Sequence, residues 1–202
     1  MPRPWATLAL PKRSKTLPEV LSREEVARIL ASTATGRERA LRMATDGGGL
    51  RVSEVVRLRV SDIDAGRDML RGEQGTGRKD RYTLLGSRLV AELRHYWQVY
   101  PPTPPWLFPQ RSKSLPMDPS TAQKLYYAAK ARAGVTKEGG SHALRHAFTP
   151  HLWEGGTDLA TLQRLLGQES VTTTMPYVPV ARSHGMAQGS PLESLPDVGA
   201  TG

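Results

Sequence analysis

No cysteine occurs among the 202 residues. Disulfides, zinc–thiolate centres and cysteine nucleophiles are therefore excluded. No apolar run approaches the roughly 18 residues that a membrane-spanning helix needs. The N-terminal stretch MPRPWATLALPKRSK interrupts its short apolar patch with prolines, unlike a secretory signal. A cytoplasmic protein with no membrane partner is the expectation. No internal repeat is present. Acidic residues are scarce: 19 stand against 28 lysines and arginines, for a formal net charge of +9 and a pI near 10.2. A chain this basic favours a polyanionic partner, most often nucleic acid.

Residues 1–18 set Pro2, Pro4, Pro11 and Pro18 among Arg3, Lys12, Arg13 and Lys15, which reads as a basic linker. A helix is predicted over 21–33. Ser22 caps it, Glu25 completes a capping box, and Val26, Ile29 and Leu30 form its apolar face. Residues 37–64 read as a helix, a break at Gly47 to Gly49, and a second helix capped by Ser53 and closed by SDID. Runs at 69–71 and 81–85 flank a turn at Gly75 and Gly77, the pattern of a β-hairpin with a basic tip. Amphipathic helices follow over 87–100, stopped by PPTPP, and over 120–134, ended by Gly134. Further helices are predicted in 141–156 and 158–167. From Ala181 the chain turns rich in Gly, Ser and Pro and is expected to fray. The fold class is mainly α with a small antiparallel β-sheet (α+β).

Arg51 follows the glycine break and opens a helix. Helix N-termini favour anions, and a guanidinium fork matches two phosphate oxygens at once. Arg145 supplies a second fork, with His142 one turn before it. Tyr177 lies beyond a short helix in a threonine-rich segment, and a tyrosine can act as a covalent nucleophile. The plainer alternatives are a solvated basic face, a structural histidine and a packed tyrosine. His142 and His146 stand at i and i+4, as zinc ligands can, but no third ligand is well placed, so neither metal nor cofactor is predicted.

The stretches GGGLRVSEVVRLRVSDID, GTGRKDRYTLL, HALRHAFTPHL and LQRLLGQESVTTTMPYVPV together resemble the catalytic domain of the tyrosine recombinases, or phage integrases. The flavour is that of transposon- or integron-associated members, and the domain is assigned to 19–180. The resemblance implies a DNA strand transferase that breaks and rejoins double-stranded DNA through a 3′-phosphotyrosyl link, without metal or ATP. It implies that Arg51 and Arg145 hold the non-bridging oxygens, His142 handles a proton near the nucleophile, and Tyr177 attacks. Glu54 would orient the arginine or the histidine. It also implies a homo-oligomer on DNA, with 181–202 either docking on a neighbour or forming a disordered tail.

The chain departs from the family pattern in four respects: at Thr76, at Gln168, at its prolines and in its architecture. Thr76 replaces a lysine that protonates the leaving oxygen; Lys79, three residues on, either reaches in as a substitute or contacts phosphate or solvent, the plainer reading. Gln168 stands where histidine or tryptophan is usual. Pro150 lies inside the HALRHAFTPHL helix, where its ring is expected to clash with the carbonyl of His146 and disturb Arg145. Pro176 and Pro179 are expected to hold Met175 and Val178 out of helical geometry. A separate helical N-terminal domain is usual in the family, and only a basic stub precedes Leu17. Two other readings follow: a catalytically decayed DNA-binding remnant, or an unrelated helical scaffold whose Arg, His and Tyr residues lie scattered.

Overall fold

The computed structural model describes residues 20–73, 80–111, 114–166 and 191–196. The linker at 1–18, Thr76, Lys79, Gln168, Met175, Pro176, Tyr177, Val178 and Pro179 lie outside the described residues.

Helix α1 (Arg23–Ala31) starts as its sequence dictates. The Ser22 hydroxyl accepts the Glu25 N–H at 3.3 Å while the Glu25 carboxylate accepts the Ser22 N–H at 2.7 Å. Val26, Ile29 and Leu30 are buried. Helix α2 (Gly36–Gly47) is capped by the Thr35 hydroxyl and runs through the centre of the molecule. It packs against α1, α3 (Val52–Val56), α4 (Ser87–Val99), α5 (Pro119–Arg132) and α6 (His142–Glu154).

The second half of the 37–64 stretch differs from expectation. Ser53 lies inside α3, and Arg51 occupies its N-cap position. The helix ends at Val56, and SDID forms a 3₁₀ turn and strand β1 (Ile63–Asp64) instead of a helix end. Competing backbone partners explain this. The Leu58 carbonyl accepts from Leu107, and the Val60 N–H donates to the Pro105 carbonyl. The Asp62 carboxylate takes the Arg59 N–H at 2.8 Å.

Strands β1, β2 (Met69–Gly72) and β3 (Arg81–Leu84) form an antiparallel sheet in that order, with Leu70 opposite Thr83 and Gly72 opposite Arg81. The two-residue period puts Leu70, Gly72, Arg81 and Thr83 on the buried face and Met69 and Tyr82 outside. The architecture is the expected one, mainly helical with a small antiparallel sheet.

Helix α6 does not break at Pro150. A proline inside a helix costs roughly 3 kcal/mol. Here Phe148 and Leu152, on either side of it, are buried in a cluster with Leu162, Leu165 and Leu166 of α7 (Leu159–Leu166), and Leu84 of β3 packs against that cluster. Burial of those side chains offsets the lost backbone bond. The expected fraying also fails for residues 191–196. They make a 3₁₀ turn whose Leu192 and Leu195 are buried in the main core. Arg88 Nη1 donates to the carbonyls of both, at 2.8 and 2.7 Å.

Candidate functional site

The turn between α2 and α3 passes close under α6. Gly49 adopts φ +55, and a Cβ there would sit 2.6 Å from the Phe148 ring. Only glycine meets both demands. The close approach turns the Gly49 carbonyl toward two guanidiniums: Arg81 Nη2 donates to it at 3.1 Å, and Arg145 Nη1 donates to it as well.

Glu54 gathers the same arginines. Its Oε1 accepts from Arg51 Nη1 at 2.7 Å. Its Oε2 accepts the Arg51 backbone N–H at 2.7 Å and Arg81 Nη2 at 2.9 Å. Arg145 Nη1 stands farther off, 3.7 Å from the same oxygen. The cluster extends to the C-terminus of α7, where Arg145 Nη2 donates to the Leu166 carbonyl at 3.0 Å and Arg81 Nη1 to that of Leu165. Cations at a helix C-terminus are favoured by its unsatisfied carbonyls and dipole.

Three guanidiniums thus surround one carboxylate, an excess of two positive charges. Burial alone would raise the Glu54 carboxyl. The hydrogen bond and charge of Arg81, then Arg51 and Arg145, outweigh it and hold the group below its ordinary value. Burial first, then the charges of Arg81 and Arg51, pull Arg145 down to about 9, against the opposing field of Glu54. Arg145 is therefore still a cation at neutral pH. The Arg51 side chain is 28% exposed, against 10% for Arg145 and 4% for Arg81. Arg51 is the member that reaches solvent.

His142 is the first residue of α6 and is exposed, one turn from buried Arg145. The start of α6 is fixed by α5. The Ser141 hydroxyl donates to Gln123 Oε1 at 2.6 Å, and a Cβ on Gly140 would fall 1.9 Å from the Gln123 amide nitrogen. His146, one turn further, lies below its ordinary pKa through partial burial and then the charges of His142 and Arg145.

Of the residues singled out in the sequence, Arg51 and Arg145 meet through Glu54, and His142 stands at the head of the helix that carries Arg145. Tyr177, Lys79 and Gln168 lie outside the described residues; α7 ends two positions before Gln168. Sequence reasoning missed Arg81. Its signal was the alternation of the strand, which sets residue 81 on the same face as Thr83. Among the described residues, no three His, Asp or Glu side chains stand together to share a metal ion. No helix there is long and apolar enough to cross a membrane.

Comparison with known proteins yields concordant matches. The family model described as the phage integrase family matches residues 19–184. A putative integrase/recombinase, y4eF of Sinorhizobium fredii, is 38% identical over 197 residues, covering 96% of this chain and 78% of its own length. The crystal structure of XerA recombinase superposes with a TM-score of 0.73 at 29% identity, over 85% of this chain and 62% of that one. The XerH site-specific recombinase, in a pre-cleavage complex with difH substrate, gives a TM-score of 0.69 at 25% identity, over 80% of this chain and 50% of that one. This chain thus spans between half and two thirds of those two solved chains.

Proposed function

The chain belongs to the phage integrase family, and from that premise we propose that it is the catalytic domain of a tyrosine-type site-specific recombinase acting on double-stranded DNA. The observation that carries this reading is the convergence of Arg51 and Arg145 on Glu54, with a net positive charge and with Arg51 open to solvent.

In the proposed reaction the Tyr177 hydroxyl attacks a phosphodiester phosphorus in line. The bond from phosphorus to the 5′-oxygen breaks, leaving a 3′-phosphotyrosine and a free 5′-hydroxyl. The tyrosine proton leaves through His142, and the departing oxygen gains one. Attack by another strand's 5′-hydroxyl reverses the steps and releases the tyrosine. The five-coordinate transition state carries one more negative charge than the diester. Arg51 and Arg145 are the groups to bear it, and preorganised cations of this kind act most strongly on charge that develops during reaction. Lys79 of the GTGRKD stretch is the remaining candidate to protonate the leaving oxygen in place of Thr76, and Gln168 the donor of a further hydrogen bond to phosphate. The protein works as a homo-oligomer on DNA in the cytoplasm. The DNA-bound XerH structure supports the substrate class. Leu192 and Leu195 pack into the core of the same chain, so the docking of residues 191–196 is within the chain.

The test is a library of nicked duplexes with randomised arms, in which cleavage releases a short strand and traps the enzyme. The wild type is expected to give an SDS-stable protein–DNA adduct, and Tyr177→Phe none. Thr76→Lys is expected to speed adduct formation on the order of 10²-fold, the contribution of a positioned general acid. A wild type that binds these duplexes in low salt without any adduct would favour the second reading, a DNA-binding remnant, which Thr76 and Gln168 motivate.

A further inference from the structure

We propose that Arg81 is a positioning residue of the cleavage site: by saturating Glu54 and holding the end of α7, it leaves Arg145 free of the carboxylate and set to receive a phosphate. The catalytic arm of this inference rests on the function proposed above; its geometric arm does not.

Glu54 has two oxygens and three arginine suitors. Arg51 takes Oε1 at 2.7 Å, and Arg81 takes Oε2 at 2.9 Å. Arg145 is left at 3.7 Å, beyond hydrogen-bond range of the same oxygen. Its two terminal nitrogens are held by backbone carbonyls, Gly49 and Leu166, which orient the guanidinium without neutralising it. Arg81 itself, with 4% of its side chain exposed, is too enclosed to meet DNA. It joins three separate pieces: the α2–α3 turn through Gly49, α3 through Glu54, and α7 through Leu165.

Stability alone is a poor reason to keep an arginine there. Its Nε is buried without an acceptor among the described residues. A buried ion pair is often no better for the fold than an apolar replacement of similar volume. Placement of charge is the better account. Without Arg81, Oε2 keeps only the Arg51 backbone N–H as a partner, with the Arg145 guanidinium 3.7 Å away. That guanidinium is drawn onto Glu54 and away from Gly49, and its charge is then committed before any phosphate arrives. Leu165 also loses its donor at the end of the helix that leads toward Tyr177.

The experiment compares the full chain with Arg81→Lys and Arg81→Met. Lysine keeps the charge but gathers its donors on one nitrogen, which cannot span Gly49, Glu54 and Leu165 as the guanidinium fork does. Arginine side chains are labelled with ¹⁵N, and the Arg145 guanidinium signals are assigned through Arg145→Lys. Arg42, buried on the Tyr126 ring and bonded to the Ala122 carbonyl at 2.6 Å, is the internal control. In both variants the Arg145 signals are expected to shift and to exchange with water at least about tenfold faster, while those of Arg42 stay put. Adduct formation on the trapping duplexes is expected to slow by about ten- to a hundredfold at unchanged DNA affinity, as for a sub-ångström misplacement of a catalytic group. Unchanged Arg145 signals in a folded variant would overturn the proposal. So would equal loosening of Arg42, or a cleavage loss matched by lost binding, because either marks a general structural role. If Arg81→Met fails to fold, Arg81→Lys carries the test. If the parent chain forms no adduct, the proposed function falls and the Arg145 signals still decide whether Arg81 positions it.

Discussion

Two carboxylates, Asp46 and Glu54, are both buried in the centre of this molecule, close together in sequence, and they ionise in opposite directions. Glu54 accepts from Arg51 and Arg81 and is held below its ordinary value. Asp46, in the last turn of α2, has no hydrogen-bond partner on either oxygen among the described residues, and burial pushes it up to about 7 against the weak opposing field of Arg23. Dehydration opposes both charges alike. Partners alone separate them. At Glu54 the buried charge organises three cations; at Asp46 nothing is organised, and the C-terminal end of a helix is itself unfavourable for an anion. A buried acid marks a built site only when its neighbours answer it.

The sharpest break of this contrast is Glu54→Gln. The neutral amide leaves Arg81 and Arg145 as uncompensated cations in the interior. Removing one partner of a buried pair typically costs about 3–5 kcal/mol. Urea unfolding should show a loss of that order, and the trapping assay should show far less adduct even where the variant is folded. A variant as stable as the parent would mean that the three arginines do not depend on this carboxylate.

Asp46→Asn sharpens the contrast from the other side, through pH. The native pKa near 7 lies above the unfolded value of 3.8. Between these values the folded chain keeps a proton that the unfolded chain has released. The stability linked to Asp46 is therefore full below about pH 4 and is lost as pH rises through about 7. Glu54, with its native value depressed, contributes stability above its ordinary range that is lost as pH falls. The asparagine variant should melt several degrees above the parent at pH 8 and close to it at pH 4. Equal melting shifts at both pH values would show that Asp46 is not buried as a lone acid.

Local chemistry was legible in the sequence; its long-range completion was not. The capping box of Ser22 and Glu25 involves neighbours in the chain, and it forms as read. Arg51 and Arg145 were found because each sits in a recognisable frame. Arg81 was passed over because an arginine in a strand is ordinarily a surface residue, and its acceptors come from Gly49, Glu54 and Leu165, far off in sequence. Pro150 misled for a related reason. The rule for a lone helix is right, but Phe148 and Leu152 anchor α6 to α7 on both sides of the proline. At 191–196, composition suggested fraying, whereas two leucines three apart suffice to seat a single turn in the core.

The smallest effect on stability is expected at Arg51, and there the two regions can be told apart by function. Arg51→Ala removes one partly exposed guanidinium at i,i+3 from Glu54, while the backbone N–H of residue 51 still donates to Oε2 at 2.7 Å. Glu54 keeps Arg81, and the excess positive charge of the interior falls. Partly exposed pairs contribute about 1 kcal/mol or less, so denaturant midpoints should move little. Adduct formation should nevertheless drop about 10²–10³-fold, the usual loss when one donor to a developing oxyanion is removed. A stability loss as large as that of Glu54→Gln would make Arg51 a structural strut. Cleavage within a few-fold of the parent would remove Arg51 from the phosphate altogether, and leave the buried cluster as architecture without chemistry.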